Sequence, residues 1–239
     1  MKPTDTFKAL PLAARRAIVM FGFAGMVALA SAIRHDMGGI LSVRLMVLLL
    51  FATLTALLKA RLYRGTTLSF LTAIVLMAVI RDSTAVSIIT AIWGVTVQTL
   101  FPSRKLIPYR LAFNSGMIAV TAGASSCAYH AFVTNNHSVP LVPNGILATI
   151  LAAFVYFSGN SISMSLIVAI TQRVSIFDIW MKHFMCSAQS FLIAGLLAFF
   201  VTLVSIGFMV IAVSLIIAFS YYCAIRHAAR QSTPQSGHC

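Results

Sequence analysis

The sequence predicts an all-α fold, a polytopic membrane protein of about eight transmembrane helices, and three observations lead to this prediction. First, 60% of the 239 residues are hydrophobic and only 9% are charged, whereas soluble domains carry about 25% charged residues. Second, most apolar runs have 15 to 26 residues and alternate with short polar loops, and about 20 such residues cross a bilayer as a helix. Third, Lys and Arg cluster at the ends of these runs, where they set membrane topology.

The first apolar run follows a basic segment. Residues 1–16 are polar and cationic and are predicted to be a cytoplasmic N-terminus, whereas residues 17–33 are predicted to form the first transmembrane helix. This run ends in Ala30-Ser31-Ala32, which has the small-x-small form of a signal-peptidase site. Cleavage of residues 1–32 is therefore an alternative to an uncleaved first span.

The next three runs, residues 41–58, 66–80 and 84–101, are predicted as spans two to four, and the third is short for a bilayer at 15 residues. Arg81 and Asp82 separate the third run from the fourth. We expect a local ion pair at an interfacial turn. A buried functional pair is the alternative, because charges at membrane depth usually serve function.

Residues 111–133 and 145–170 are predicted as spans five and six, and the loop between them is rich in Asn and Pro. Residues 171–184 then interleave apolar and charged side chains. This pattern predicts an amphipathic helix that lies at the membrane interface, with Ser175 as its N-cap.

The last apolar run, residues 185–225, is about twice the length of one span. We divide it near Ser205-Ile206-Gly207 into spans seven and eight, and one long helix is the alternative. The helical membrane domain thus covers residues 17–225, and residues 226–239 are predicted to form a polar cytoplasmic tail.

The distribution of cations predicts that both termini are cytoplasmic. With the N-terminus inside and eight spans, only three of the 17 Lys and Arg face outward, namely Arg34, Arg44 and Arg81, which leaves 14 inside. This is a strong positive-inside asymmetry. A single long final helix would weaken it, because Arg226 and Arg230 would then face outward.

Two asparagines inside the fifth and sixth predicted spans indicate the candidate site. Each needs a hydrogen-bond partner in hydrocarbon, from a neighbouring helix, water or a ligand. The predicted ligand-binding residues are Asn114, Ser115, Asn160, Ser161 and Ser163. Small residues let helices approach closely in lipid, and that packing role is predicted for Ala119, Gly123 and Gly159. Tight packing of the two helices, without a pocket, is the alternative for the whole set.

The sequence argues against catalysis, a metal site and nucleic-acid binding. None of its four acidic residues, all aspartates, lies deep in a predicted span, and the motifs of nucleotide and metal enzymes are absent. The four cysteines are scattered without C-x-x-C spacing. The net charge of +13 is assigned to topology and anionic lipid, because no basic groove with interleaved aromatic residues is evident. No catalytic residue, metal ion or cofactor is predicted.

Three short elements occur in an order that resembles a known kind of membrane region. They are Phe113-Asn114 followed by Tyr129; Tyr156-Phe157 followed by Asn160; and the stretch from Ser175 to Trp180 followed by Phe184 and Leu192-Ile193-Ala194-Gly195. Together they resemble the multi-span N-terminal sensor region that precedes HD-type phosphohydrolase or GGDEF diguanylate cyclase domains in bacterial signalling proteins. The resemblance covers roughly residues 43–205. It implies a catalytic domain after the last helix, whereas only residues 226–239 follow here.

Two functional hypotheses follow. The first is a non-enzymatic sensor-type or scaffold module of the bacterial inner membrane, which lies in the lipid bilayer and acts through a cytoplasmic or membrane protein partner. The second is a small-solute permease, or the membrane subunit of a transporter, with a pocket lined by the five predicted ligand-binding residues.

Overall fold

The fold is a bundle of helices with one short pair of strands. A computed structural model describes residues 7–36, 42–57, 60–62, 66–68, 70–100, 107–135, 143–203 and 214. The α-helices are α1 (Leu12–His35), α2 (Val43–Leu57), α3 (Phe70–Arg81), α4 (Thr84–Leu100), α5 (Pro108–Asn135), α6 (Pro143–Gln172), α7 (Ile176–Ile179) and α8 (Ala188–Leu203). A 3-10 turn (Phe7–Ala9) precedes α1, and a π turn (Trp180–Phe184) and a second 3-10 turn (Met185–Ser187) connect α7 to α8.

The helical class that the sequence predicts is confirmed, with one correction in the third segment. The residues predicted to begin that helix form a strand instead: β2 (Thr66–Leu68) pairs antiparallel with β1 (Ala60–Leu62), so that Arg61 lies opposite Thr67. Two adjacent β-branched threonines favour an extended backbone. Helix α3 therefore begins only at Phe70.

Two helices are long and apolar enough to cross a membrane by length and composition, Leu12–His35 and Asn144–Gln172. Four more are apolar but shorter, at 10–17 residues. The eighth predicted span, the C-terminal tail and most of the loop between α5 and α6 lie outside the described residues, apart from Ser214.

Helix α5 packs most extensively against α1, α4 and α6, and small residues make each of these contacts. Towards α6, the Ser125 hydroxyl donates a hydrogen bond to the Ala152 carbonyl oxygen at 2.8 Å. Towards α4, the Ser126 and Thr84 hydroxyls are 2.9 Å apart. Towards α1, the backbone of Gly116 meets the backbone of Phe21 so closely that a Cβ on this glycine would overlap the Phe21 carbonyl oxygen.

Helix α3 forms the centre of the bundle, and every side chain from Leu71 to Val79 is buried. A helix that is apolar on all sides is expected to be enclosed by other elements. Its neighbours are α2, α4, α5, α6 and α8. At the end of α3, the Arg81 Nη1 donates a hydrogen bond to the Thr202 carbonyl oxygen of α8 at 3.1 Å. The Arg81 guanidinium therefore binds the backbone of α8 and also acts electrostatically on the neighbouring Asp82 carboxyl.

Contacts along the bundle define its two ends. The Phe21 and Phe113 rings lie 5.4 Å apart, and later residues of the same two helices share a cavity, so α1 and α5 run in the same direction. Helix α4 runs in the opposite direction, since Thr84 meets Ser126 and Thr99 meets Asn114. We call the end with the first residues of α5 the basal end and the opposite end the apical end.

Candidate ligand-binding site

A cavity of about 850 Å³ opens at the basal end. The residues just before α1, the second turn of α1, the first turns of α5 and the last turns of α6 surround it. Its lining consists of Ala9, Leu10, Pro11, Ile18, Tyr109, Arg110, Phe113, Asn114, Met164, Ile167, Val168, Thr171, Gln172 and Arg173. We call this space the basal cavity. Its volume lies within the roughly 300–1,000 Å³ that is typical of small-molecule sites.

The lining of the basal cavity combines an apolar body with polar and cationic groups. Arg110 lies in the first turn of α5 and Arg173 follows the last residue of α6, so the two cations come from different helices. Asn114 and Thr171 add an amide and a hydroxyl. The described residues that line the cavity include no Asp or Glu.

A third cation, Arg15, does not line the cavity but is close in sequence to two residues that do. Arg15 is three residues before Ile18 and four after Pro11, and at these spacings side chains share one face of a helix. Its Nε is buried and has no hydrogen-bond partner. A buried guanidinium nitrogen without a partner costs free energy that an anion could recover.

Arg173 occupies a backbone conformation that rarely suits a residue with a side chain. Its φ is +58°, in the left-handed region. The next amide, of Val174, donates back to the Ala169 carbonyl oxygen at 3.2 Å. This is the bond of a Schellman helix end, in which glycine usually takes the left-handed position. An arginine here costs about 1 kcal/mol relative to glycine, which favours a role for its side chain at the opening of the cavity.

Arg173→Gly is therefore expected to stabilise the protein by about 1 kcal/mol, because glycine adopts the left-handed backbone without a Cβ clash. Thermal unfolding of the purified protein in detergent measures this change. Arg173→Ala removes the same charge but keeps the clash, and it is the matched control. An equal rise in Tm for both variants would mean that the charge, and not the backbone, causes the effect.

Among the predicted ligand-binding residues, only Asn114 lines the basal cavity. Its Nδ2 also donates to the Thr99 hydroxyl at 3.4 Å, so α4 helps to position the amide. Ser161 is buried and accepts a hydrogen bond from the Trp180 Nε1 at 2.9 Å, and it thereby ties the π turn to α6. Ser163 is also buried, whereas Ser115 and Asn160 are half-buried.

The three residues assigned to packing lie in different contacts. Gly159 of α6 faces Thr121 of α5, where an added Cβ would lie 2.9 Å from the threonine hydroxyl. Gly123 faces Ile88 of α4 rather than α6, at 3.2 Å for an added Cβ. Ala119 is fully buried.

Sequence reasoning did not include the cationic residues Arg110 and Arg173 in the site. Both had been assigned to topology because they lie at the ends of apolar runs. The signal that could have found them is their position at the same predicted membrane face as Asn114. Which ends lie next to each other around the bundle is decided by helix packing, and the sequence pattern does not contain it.

A second cavity, of about 610 Å³, lies at the apical end between α1, α4 and α5. Its polar lining includes His35, Asp36, Thr84 and His130. The His130 Nε2 lies 3.3 Å from the Asp82 carbonyl oxygen. We call this space the apical cavity. Among the described residues, no group of three His, Cys, Asp or Glu is arranged to hold a metal ion.

Residues 174–182 follow the basal cavity along the chain, and the start of α7 within them departs from one expectation. Ser175 takes the N-cap position of α7 in extended backbone, but its side chain makes no capping hydrogen bond. The apolar side chains of Val174, Ile176, Phe177 and Met181 are exposed. Residues 174–182 are called the exposed segment below.

Asp82, in the turn between α3 and α4, provides a test of pH dependence. Burial raises the pKa of its carboxyl, and the guanidinium groups of Arg44 and Arg81 oppose this shift without cancelling it. The folded protein therefore binds this proton more tightly than the unfolded chain does. The stability linked to Asp82 is complete at low pH and is lost as the pH rises through the raised pKa.

Asp82→Asn is accordingly expected to raise Tm at pH 7 and to leave it unchanged near about pH 3, below the ordinary pKa of aspartate. Thermal unfolding across this range measures the difference. Asp178→Asn, at an exposed position, is the control. A lower Tm for Asp82→Asn at neutral pH would mean that the two arginines outweigh burial.

Comparison of the chain with protein-family models, curated proteins and solved structures found no match. The resemblance to membrane sensor regions therefore stays a prediction.

Proposed function

We propose that this chain is a non-enzymatic, multi-pass protein of the bacterial inner membrane that binds a small ligand at its basal end and acts through a partner protein. It crosses the bilayer eight times and places both termini in the cytoplasm. The basal end of the bundle is its cytoplasmic end. Function in this class depends on ligand-dependent contacts and not on chemistry.

The directions of the helices support this topology. Of the described Lys and Arg, those at the apical end are Arg34, Arg44 and Arg81, and the others lie at the basal end. Helices of 12 to 17 residues, such as α3 and α4, are shorter than a flat bilayer needs. Since α3 is enclosed by other helices, its length does not have to match the hydrocarbon thickness at a lipid-facing surface.

The observation that carries the sensor proposal is that the basal cavity and the exposed segment share one stretch of chain. Thr171, Gln172 and Arg173 line the cavity, and the exposed segment begins at the next residue. Trp180 ties the far part of this segment back to Ser161 of α6. A ligand that changes the end of α6 therefore acts directly on exposed apolar side chains at the cytoplasmic face, where a partner can bind.

In vivo photo-crosslinking tests this proposal. A benzophenone amino acid at Phe177, which is 65% exposed, is expected to yield an adduct with one cytoplasmic or membrane protein. The matched control is the same amino acid at Phe154 of α6, which is 61% exposed and faces lipid in the proposed topology. Adducts with lipid alone at both positions would contradict a partner-dependent function.

A small-solute permease is the second candidate, and one observation favours it. The basal and apical cavities lie along the same pair of helices, α1 and α5. Between them is the close crossing of Gly25 and Gly116, where a Cβ on Gly25 would lie 2.5 Å from the Gly116 Cα. Separation of the two helices at this point would join the cavities into one path.

Uptake of radiolabelled acetate and inorganic phosphate into proteoliposomes tests the permease. If the basal cavity is on the path, Asn114→Leu abolishes uptake, while Asn160→Leu, outside the lining, serves as the comparison. Uptake no faster than in protein-free vesicles would argue against transport of these solutes. Loss of uptake only in Asn160→Leu would place the path elsewhere.

A further inference from the structure

We infer that the basal cavity binds an anionic amphiphile, a molecule with one acyl-type chain and a carboxylate or phosphate head. This inference rests on the proposed function, because it names the ligand class of the same site. Three features of the cavity support it. Its lining has an excess of positive charge, its interior is apolar, and the neutral amide of Asn114 lies between Arg110 and the apolar interior.

The charge of the cavity selects an anion. Arg110 and Arg173 both line it, and the described lining contributes no carboxylate to balance them. Arg15 adds a buried Nε without a hydrogen-bond partner on the α1 face that carries Pro11 and Ile18. Guanidinium groups bind carboxylate and phosphate through paired, charge-assisted hydrogen bonds.

The interior of the cavity selects an apolar chain. Ile18, Phe113, Met164, Ile167 and Val168 line it on three sides. A small inorganic anion would occupy only a minor part of about 850 Å³ and would leave these apolar groups against water. An acyl chain removes that surface from water, at about 0.8 kcal/mol for each buried CH₂ group.

The order of these groups along the helices fits one orientation of the ligand. Arg110 precedes Phe113 and Asn114 on α5, and Arg173 follows Ile167 and Thr171 on α6. Both arginines therefore lie nearest the basal end, and the apolar residues lie deeper in the bundle. The anionic head binds at the opening, and the chain extends towards the Gly25–Gly116 crossing.

The test measures binding to the full-length protein in nanodiscs of phosphatidylcholine. The probes are radiolabelled oleate and lysophosphatidylglycerol, which share the amphiphilic form but differ in the head. Lysophosphatidylcholine with the same chain lacks the net negative charge, and we expect it to bind about tenfold more weakly or worse. Inorganic phosphate is the competitor that lacks the chain, and we expect no competition at millimolar concentration.

The variants separate the site from general charge effects. Arg110→Gln combined with Arg173→Gly is expected to weaken binding of both anionic probes by about tenfold or more. Glycine at position 173 also suits the local backbone, so this variant is expected to fold. Arg34→Gln combined with Arg44→Gln removes two cations from the apical end and is the matched control with unchanged affinity.

Each outcome decides the inference. Equal binding of lysophosphatidylcholine would overturn the selection of an anion, and competition by inorganic phosphate would identify a soluble anion site instead. Equal losses in the two double variants would mean a non-specific surface effect. A preference for oleate would identify a fatty acid, and a preference for lysophosphatidylglycerol a phospholipid. A Phe177 adduct with a protein partner, but no amphiphile binding, would leave the proposed function standing and remove only its ligand.

Discussion

Gly116→Ala is expected to prevent stable folding of the bundle, with a loss of about 3 kcal/mol or more, at the upper end of the range for overpacking. The added methyl group would overlap the Phe21 carbonyl oxygen and lie 2.7 Å from the Gly22 Cα. Both obstacles are backbone atoms, so no side chain can rotate away. Helices α1 and α5 would have to separate along their whole contact. The yield and the Tm of the variant in detergent measure this loss of stability.

Gly22→Ala is the matched control on the facing helix. A Cβ there would lie 3.9 Å from the Ala112 carbonyl oxygen, which is ordinary van der Waals contact. Because alanine has the higher helix propensity, this variant is expected to be neutral or up to about 1 kcal/mol more stable. If Gly116→Ala behaved like Gly22→Ala, the close crossing of α1 and α5 would be refuted, and with it the barrier between the two cavities.

Leu76→Ala is expected to cost about 2–5 kcal/mol, the range for truncating a fully buried leucine. Leu76 is 0% exposed at the centre of α3. Its Cδ1 would lie 3.6 Å from a Cβ added to Gly195, so it packs directly against α8. The cost comes from a cavity that close-packed neighbours cannot fill, and it does not depend on whether water or lipid surrounds the bundle.

Leu50→Ala provides the comparison, because Leu50 of α2 is 58% exposed. Its truncation is expected to change stability by less than about 1 kcal/mol. Chemical unfolding in mixed micelles measures both variants under the same conditions. Similar losses at the two positions would contradict the central place of α3 in the bundle.

The central position of α3 could not be predicted from the sequence pattern. Its residues formed the shortest apolar run, and the sequence offered no periodicity that distinguishes a lipid-facing helix from one enclosed by protein, because both are apolar on all sides. The sequence analysis accordingly placed the candidate site and the close helix packing in spans five and six. The structure places α5 in contact with α1, α3, α4 and α6, and α3 at the centre. The strand pair before α3 was missed for a related reason, since two threonines within an apolar run were counted towards the helix.

Of the five predicted ligand-binding residues, only Asn114 lines the basal cavity. Asn114 was identified because an amide in an apolar helix must find a partner, and this argument holds for one helix at a time. The same argument selected Ser161, which the structure uses to bind Trp180. Whether a polar group faces a cavity or a neighbouring side chain depends on the rotation of its helix in the bundle.

Helix α1 begins five residues before its predicted start, and residues 171–184, predicted as one interfacial helix, are divided between the end of α6, α7 and a π turn. By itself the sequence determined the helical class, the approximate positions of most described helices and the asymmetric distribution of Lys and Arg between the two ends. These properties follow from hydrophobic runs, from helix breakers and from charge, which act within a few residues of the chain. Only the tertiary structure decided that Arg110, Asn114 and Arg173 surround one cavity, and that Gly25 and Gly116 separate it from a second. Arg173 is far in sequence from Arg110 and Asn114, as Gly25 is from Gly116, and their proximity results from side-chain packing between helices, which no local pattern encodes.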